Sequence, residues 1–536
     1  MFSISFHIAP IFSNVKWRLF LVLMLFSSLL FSQEKKRVEI LRAGSLEANE
    51  RIASNAQRLI DSVIISHKNI LMWCDSAYTY TGTNRVDAFG RVHIKQDDTL
   101  HLYANKVFYD GDISFARAWG NVKLINKSTT IYTDTLDYDL NTNISYYDDN
   151  GKIIDSTTTI TSVIGKYFIN DNILNLYHQV VATNDDFTMY SDTVSYNTET
   201  KRILISGPTT ILDSANTLYT ENGWYDSNTG EAELLKNPLI SNETQKIAAN
   251  YIRYSKENKK GKALGSVRIT DLENHSIILG NIAEYDDALE TAMVTDSAVY
   301  MTYDRNDTLF LHADTLRTIP DTVPDEKVVF AYKKVRFFRT DLQGICDSMV
   351  YYTRDSIIQL HQFPVIWSEI HQLSADLIEM KQFQNAPDEL HLTKNSFIIS
   401  KQDSNMYDQI KGKEMIGYII NNELKNIEVD GNGQTLYYAR EKEEIIGLNR
   451  AESSKISIRF REGKIYTISF LKAPDGELKP LLELSEEDKT LAGFEWKIHL
   501  RPLSKHDIFE RKIIKETNLL KKETENKTDS MEEEGK

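Results

Sequence analysis

Apolar and polar residues alternate with a period of two along most of this chain. In Arg91-Val92-His93-Ile94-Lys95 the apolar side chains fall on one face and the charged ones on the other, which is the pattern of a half-buried strand. The same pattern opens with glycine in Gly90-Arg91-Val92-His93-Ile94, Gly120-Asn121-Val122-Lys123-Leu124 and Gly265-Ser266-Val267-Arg268-Ile269. Turn formers such as Asp110-Gly111-Asp112, Asn141-Thr142-Asn143 and Asn197-Thr198-Glu199 stand between such stretches. The pattern therefore predicts a strand, a turn and a returning strand, over and over.

A second pattern sets the period. A small residue is followed by Asp, Asn or Gly, then by an aliphatic residue two places on and often by an aromatic one two places later. Examples are Cys74-Asp75-Ser76-Ala77, Ala104-Asn105-Lys106-Val107-Phe108-Tyr109, Thr133-Asp134-Thr135-Leu136-Asp137-Tyr138 and Ser191-Asp192-Thr193-Val194-Ser195-Tyr196. With the second residue as origin, copies fall at Gly44, Asp75, Asn105, Asp134, Gly165, Asp192, Glu221, Asn250, Asn281, Asp314, Asp347 and Asp376, spaced by 27 to 33 residues. A period held this long marks a repeat protein. Each unit of roughly 30 residues holds two strands and cannot bury its apolar face alone, so stacking is expected to build an all-β solenoid, folded sheet or open jelly roll.

Composition agrees. The 536 residues include 27 Tyr, 22 Phe and only 10 Pro, which favours strands and turns over helices. At the N-terminus Lys16 and Arg18 precede the uncharged run Leu19 to Ser32, followed by Gln33-Glu34-Lys35-Lys36. That is the layout of a secretory signal, residues 1–32, and the run is short for a spanning helix. No Cys stands near the expected cleavage point, which argues against a lipoprotein anchor. The net charge of −15 argues against a nucleic-acid partner and against an anionic membrane surface.

Few residues invite chemistry. Asp at the repeat origin exchanges with Gly and Asn, which share tolerance of turn and left-handed geometry and not charge, so a turn role is expected there rather than a calcium ladder. Cys74 and Cys346 occupy the small-residue position and are expected to be free thiols. His361 and His371 have no metal-ligand spacing, and nothing matches a nucleophile elbow, a zinc-protease helix or a phosphate loop. No enzyme, metal or cofactor is expected. What remains is the apolar face itself, with Val107, Tyr109, Leu136, Tyr138, Val194, Tyr196, Ile252 and Tyr254. Such a face is either a side-chain core or, in a two-layer fold with unclosed edges, a groove able to shield acyl chains. The sequence leaves both readings open.

The repeat array is expected to occupy residues 33–400. Over 401–503 the register weakens while β character persists, including a hairpin turning at Glu462-Gly463, and this region continues or caps the array. The Lys- and Glu-rich stretch 504–536 reads as a frayed helix and disordered tail.

Strings such as Met72-Trp73-Cys74-Asp75-Ser76-Ala77-Tyr78, Ala88-Phe89-Gly90-Arg91-Val92 and Ala118-Trp119-Gly120-Asn121-Val122 resemble the OstA-like (organic solvent tolerance A) family, which includes the LptA-type lipopolysaccharide-transport proteins. The likeness covers roughly 38 to 400, and Gln409 to Gly433 is similar to the C-terminal part of long OstA-like proteins of Bacteroidetes. It implies an elongated, open β-jelly-roll or β-taco in the periplasm, or associated with the outer membrane. Its interior would carry lipid A acyl chains, and its implied partners are lipopolysaccharide and other Lpt-type β-jelly-roll proteins stacked through edge strands. The rival reading is an interaction scaffold or surface adhesin with a closed core.

Overall fold

The structure, a computed structural model, describes residues 37–48, 55–286, 288–303, 307–324, 326–383, 386–420, 423–441, 444–461 and 464–509. The signal expected at 1–32 and the tail beyond 509 lie outside them. The chain divides into two units, Met1–Ala182 and Thr183–Lys536.

In the first unit the alternating stretches become strands of 11 or 12 residues: Ala56–His67, Ile70–Tyr80, Arg85–Gln96, Leu100–Asp110, Phe115–Asn126 and Thr129–Asp139. Each pairs antiparallel with the next, as Val86 with Tyr109 and Tyr109 with Ala116. Two strands therefore make one repeat, as the periodicity predicts.

Every one of these ladders breaks near its middle. The register shifts between Phe89 and Val92, between Tyr103 and Lys106, and between Trp119 and Val122. At the break the backbone turns left-handed, at Gly90-Arg91 (φ 76° and 43°) and Gly120-Asn121 (φ 75° and 50°). Such bulges bend a strand sharply, and here they fold the sheet over on itself. His67 is level with Ile70, Gln96 and Leu100 in the pairing, whereas Tyr109 is the last residue but one of the strand that Leu100 begins, nine residues or about 30 Å away along a flat strand. Yet His67 Nδ1 lies 2.6 Å from the Tyr109 hydroxyl. The two halves of each strand thus form two facing walls, joined at the bulge, with apolar rows such as Val86, Ala88, Val92 and Ile94 buried between them.

The corner corrects one expectation. Asp75, Asn105 and Asn250 do not themselves adopt left-handed geometry; the glycines of the following strand do. A Cβ on Gly120 would stand 2.9 Å from Asn105 Nδ2, one on Gly265 2.7 Å from Asn250 Nδ2, and one on Gly90 would collide with the Asp75 carboxylate. At these three corners the Asp or Asn is a short polar cap laid over its neighbour's bare Cα. Arg91 adds an ion pair to Asp75 at 2.7 Å.

The second unit repeats the design. Its walls run from Phe187–Asn197 to Asp388–Asp403, Met406–Ile420, Glu423–Glu441 and Glu444–Arg461. Some corners here are made by Gly207-Pro208, Asn237-Pro238 and Phe363-Pro364, where proline's missing N–H ends the ladder. Arg461 pairs with Lys464, so the expected hairpin is present. Strand structure stops at Lys479, however, and 481–503 holds three short 3-10 turns instead of β structure. Residues 504–509 form a turn and not a helix.

Candidate functional site

Within each unit the candidate residues fall on the inner face of a wall, in two rows. Val107, Leu136, Val194 and Ile252 lie in the row nearer the corner, and all are buried. Val107 stands between Ala88 and Ala118, Leu136 against Ala118, Val194 against Ile205, and Ile252 between Leu234 and Ala263. The tyrosines lie in the row nearer the open rim. Tyr109, Tyr138 and Tyr196 are buried, and Tyr254, between Ala232 and Gly261, is half-buried.

The tyrosines close the seam between the walls in the first unit. Tyr138 donates to Gln96 Oε1 at 2.6 Å, and Tyr167 accepts from Asn126 Nδ2 at 2.8 Å, repeating the His67 and Tyr109 contact one and two units on. In each pair the polar partner ends the opposite wall and is itself buried. Burial raises the Tyr109 hydroxyl to about 12 and lifts Tyr138 as well, so both stay protonated. Early in the second unit Phe187 and Tyr225 pack edge to face at 4.9 Å, and Asn184 Nδ2 donates to the Ser227 carbonyl, across the same kind of seam.

Further along the second unit the seam opens. One inner row runs by direct pairing through Met189, Ile211, Leu218, Ile240, Ile247, Ile269, Ile278, Tyr300 and Leu311. Its first three members and Leu311 are buried, but Ile240 to Tyr300 are partly exposed. On the facing wall the rim row is open from Tyr254 through Val329, Tyr351 and Met380 until Leu390, with Tyr285 48% exposed. The row at the corner is buried at Ala263, Ala283, Val294, Leu316 and Ala331, as far as the partly exposed Met349. The result is a trough with a sealed apolar floor and parted rims. Lys260 and Asp286 (2.9 Å) and Lys262 and Glu284 (2.7 Å) pair beside it.

The walls meet again further on. His371 packs edge to face on Phe460, with its Nδ1 2.7 Å from Ser400 Oγ. Nearby Asp408 accepts from the Tyr438 N–H at 2.9 Å, and burial raises its carboxyl to about 6. Sequence reading missed the open stretch, including Ile247, Ile269, Ile278 and Tyr300. One signal was present: the partners of Tyr109 and Tyr138 stand 42 positions upstream, and the residue 42 before Tyr285 is the exposed Glu243.

Cys74 and Cys346 are free and buried. Among the described residues no group of three or more His, Cys, Asp and Glu is placed to hold a metal.

An antiparallel sheet bent at a bulge in each strand, apolar inside and unclosed along one edge, is an open β-jelly-roll of the taco type. Residues 35–192 match the family of OstA-like proteins. Among solved structures the chain is similar to LptH, the LptA homologous periplasmic component of the lipopolysaccharide transport device of Pseudomonas aeruginosa. The identity is 15%, the match covers 20% of this chain and 79% of that one, and the TM-score is 0.18. The fold assignment rests on the strand pairing and not on this likeness. No curated protein matches the chain.

Proposed function

We propose that this is a non-enzymatic periplasmic protein of outer-membrane assembly that binds lipopolysaccharide and helps bridge it across the periplasm, its acyl chains lying between the two walls. The observation that carries the reading is the trough itself, where apolar rows that are sealed elsewhere stand open between charged rims. An acyl chain laid there leaves water while its head group stays wet, and burial of each CH₂ is worth about 0.8 kcal/mol. The OstA-like segment supports the same reading. Val107, Tyr109, Leu136 and Tyr138 in the first unit, and Val194, Tyr196, Ile252 and Tyr254 in the second, would line the space between the walls of their own unit. Other β-jelly-roll proteins of lipopolysaccharide transport would dock by strand addition, and the exposed strands Glu39–Arg42 and Ser45–Ala48 offer an edge for this.

The test is lipid analysis of protein purified from native membranes, combined with photo-crosslinkers at Ile278, at Val107 and at the outward Lys106. Co-purified lipopolysaccharide with label at Ile278 and none at Lys106 is the expected result. Absence of lipid together with label confined to Lys106 defeats the reading. A second reading, a scaffold or adhesin with a closed core, is favoured by the sealed stretch around Val107 and Leu136; it predicts no lipid and protease accessibility on whole cells.

A further inference from the structure

Beyond Lys479 the chain turns back across the outer face of the wall that carries Ile366, Ile398 and Ile410 inside. It meets there a row of side chains running across adjacent strands by direct pairing: Gln343, Trp367, Gln372, Ile399, Gln409 and Leu436. Glutamine alternates with an apolar residue, and all six are buried although they face away from the interior.

Two of the glutamines hold the returning segment in the same way. Gln409 Nε2 donates to the Lys489 carbonyl at 2.8 Å while its Oε1 accepts from the Leu491 N–H at 2.8 Å. Gln372 Nε2 donates to the Glu495 carbonyl and its Oε1 accepts from the Lys497 N–H, both at 2.7 Å. Each amide thus takes the C=O of one residue and the N–H of the residue two further on, and the two grips are six residues apart. The third glutamine, Gln343, accepts from Arg501 Nε at 2.7 Å. The contacts of Gln409 and Gln372 are to main chain, which any residue type supplies, whereas Gln343 holds an arginine side chain; further selection comes from what fills the gaps. Leu491 is buried with Phe397, Ile399, Leu436, Tyr438 and Leu448, and Phe494 and Trp496 pack on Tyr407.

We propose that this row is a recognition site for peptide main chain, filled here in cis by residues 487–509, and that it can take the same segment from a second copy of the chain. Three features argue for exchange. The segment contributes no strand to the sheet, so its departure breaks no ladder. It is joined to the last strand through Pro480 to Leu484, where Leu482 is 100% exposed and Leu484 alone packs on the Phe397 and Ile399 cluster. Its departure would leave Trp367, Phe397, Ile399 and Leu436 bare, and another copy of the chain carries the segment that covers them. Trading an identical element is a low-cost route to association. The proposal does not depend on the lipid reading.

The experiment uses the full chain with a protease site inserted after Leu482. A fluorescent synthetic peptide of residues 485–509 is expected to bind the nicked protein saturably and the intact protein at least a hundredfold more weakly, because the tethered segment competes. The peptide N-methylated at Leu491 and Lys497 should lose at least tenfold in affinity, the scale of two lost hydrogen bonds. Intact copies with a donor dye at Leu482→Cys, mixed with copies carrying an acceptor at Gln434→Cys, should develop energy transfer on incubation. Failure of the peptide to bind nicked protein, equal binding of the N-methylated peptide, or no transfer between intact copies overturns the proposal. These readouts need no folding-sensitive substitution of Gln372 or Gln409.

Discussion

The Tyr138 hydroxyl reaches Gln96 Oε1 at 2.6 Å although the two residues end opposite halves of the folded sheet. Gln96 also donates to Asn143 Oδ1 at 3.0 Å, so the contact belongs to a small buried network that shuts the seam. Tyr138→Phe leaves Gln96 Oε1 without that donor in a place water does not reach. A loss of about 1–3 kcal/mol is expected, with faster amide exchange around Asn141 to Asn143. Tyr285→Phe, on the open stretch, should change stability by no more than about 0.5 kcal/mol. Thermal melts and hydrogen exchange on the two variants check this.

The corner glycines with left-handed φ should be far less replaceable than glycines with ordinary φ. Gly90 combines φ 76° with the Asp75 carboxylate against its Cα, so Gly90→Ala is expected to cost about 2 kcal/mol or more. Gly207 has ordinary φ and nothing nearer than 3.9 Å to an added Cβ. Gly207→Ala should be close to neutral, within about 0.5 kcal/mol, in the same denaturation assay.

Asp408 makes stability depend on pH in a definite direction. Its carboxyl rises from 3.8 to about 6, chiefly through burial, so the folded chain holds a proton that the unfolded chain releases. The protonated form's advantage is complete below pH 4, falls as pH rises toward 6, and is gone above it. The change is about 3 kcal/mol at most. Asp408→Asn, which can still accept from the Tyr438 N–H, should flatten the stability profile between pH 4 and 6 in urea titrations.

Burial raises the Cys74 thiol to about 11 and the Cys346 thiol to about 12. With so little thiolate present, alkylation by iodoacetamide at pH 8 should run at least roughly a hundredfold slower in the folded protein than after denaturation. Mass spectrometry that found either residue modified at the rate of an exposed thiol would contradict the packing described.

What the sequence disclosed and what it hid follow from where each piece of information sits. Alternation is local, so the inward direction of Val107, Leu136, Val194 and Ile252 was legible from their own neighbours. The corner was half legible: Asp75 and Asn105 were marked as special, but the left-handed residues are Gly90 and Gly120, one strand further on, and the pairing that joins them is not written in either stretch. The trough was hidden because in the first unit the seam closes where a tyrosine meets a polar partner some 42 residues upstream, a relation that neither stretch shows by itself. The returning segment gave the weakest signal. Leu491, Phe494 and Trp496 keep no helical or strand period, and Gln343, Gln372 and Gln409 pass for surface residues until something lies on them.

Because the corners at Gly90, Gly120 and Gly265 are each shared between one strand's Asp or Asn and the next strand's glycine, no strand there is complete by itself. Removing one strand would reverse the direction of all that follow, exchange their rims, and orphan a cap from its glycine. Deleting the pair that begins at Asp75 or at Asn105 would instead join an intact cap to an intact glycine. Relatives of this chain should therefore differ in length by hairpins of about thirty residues, so that its reach is adjustable only in whole steps.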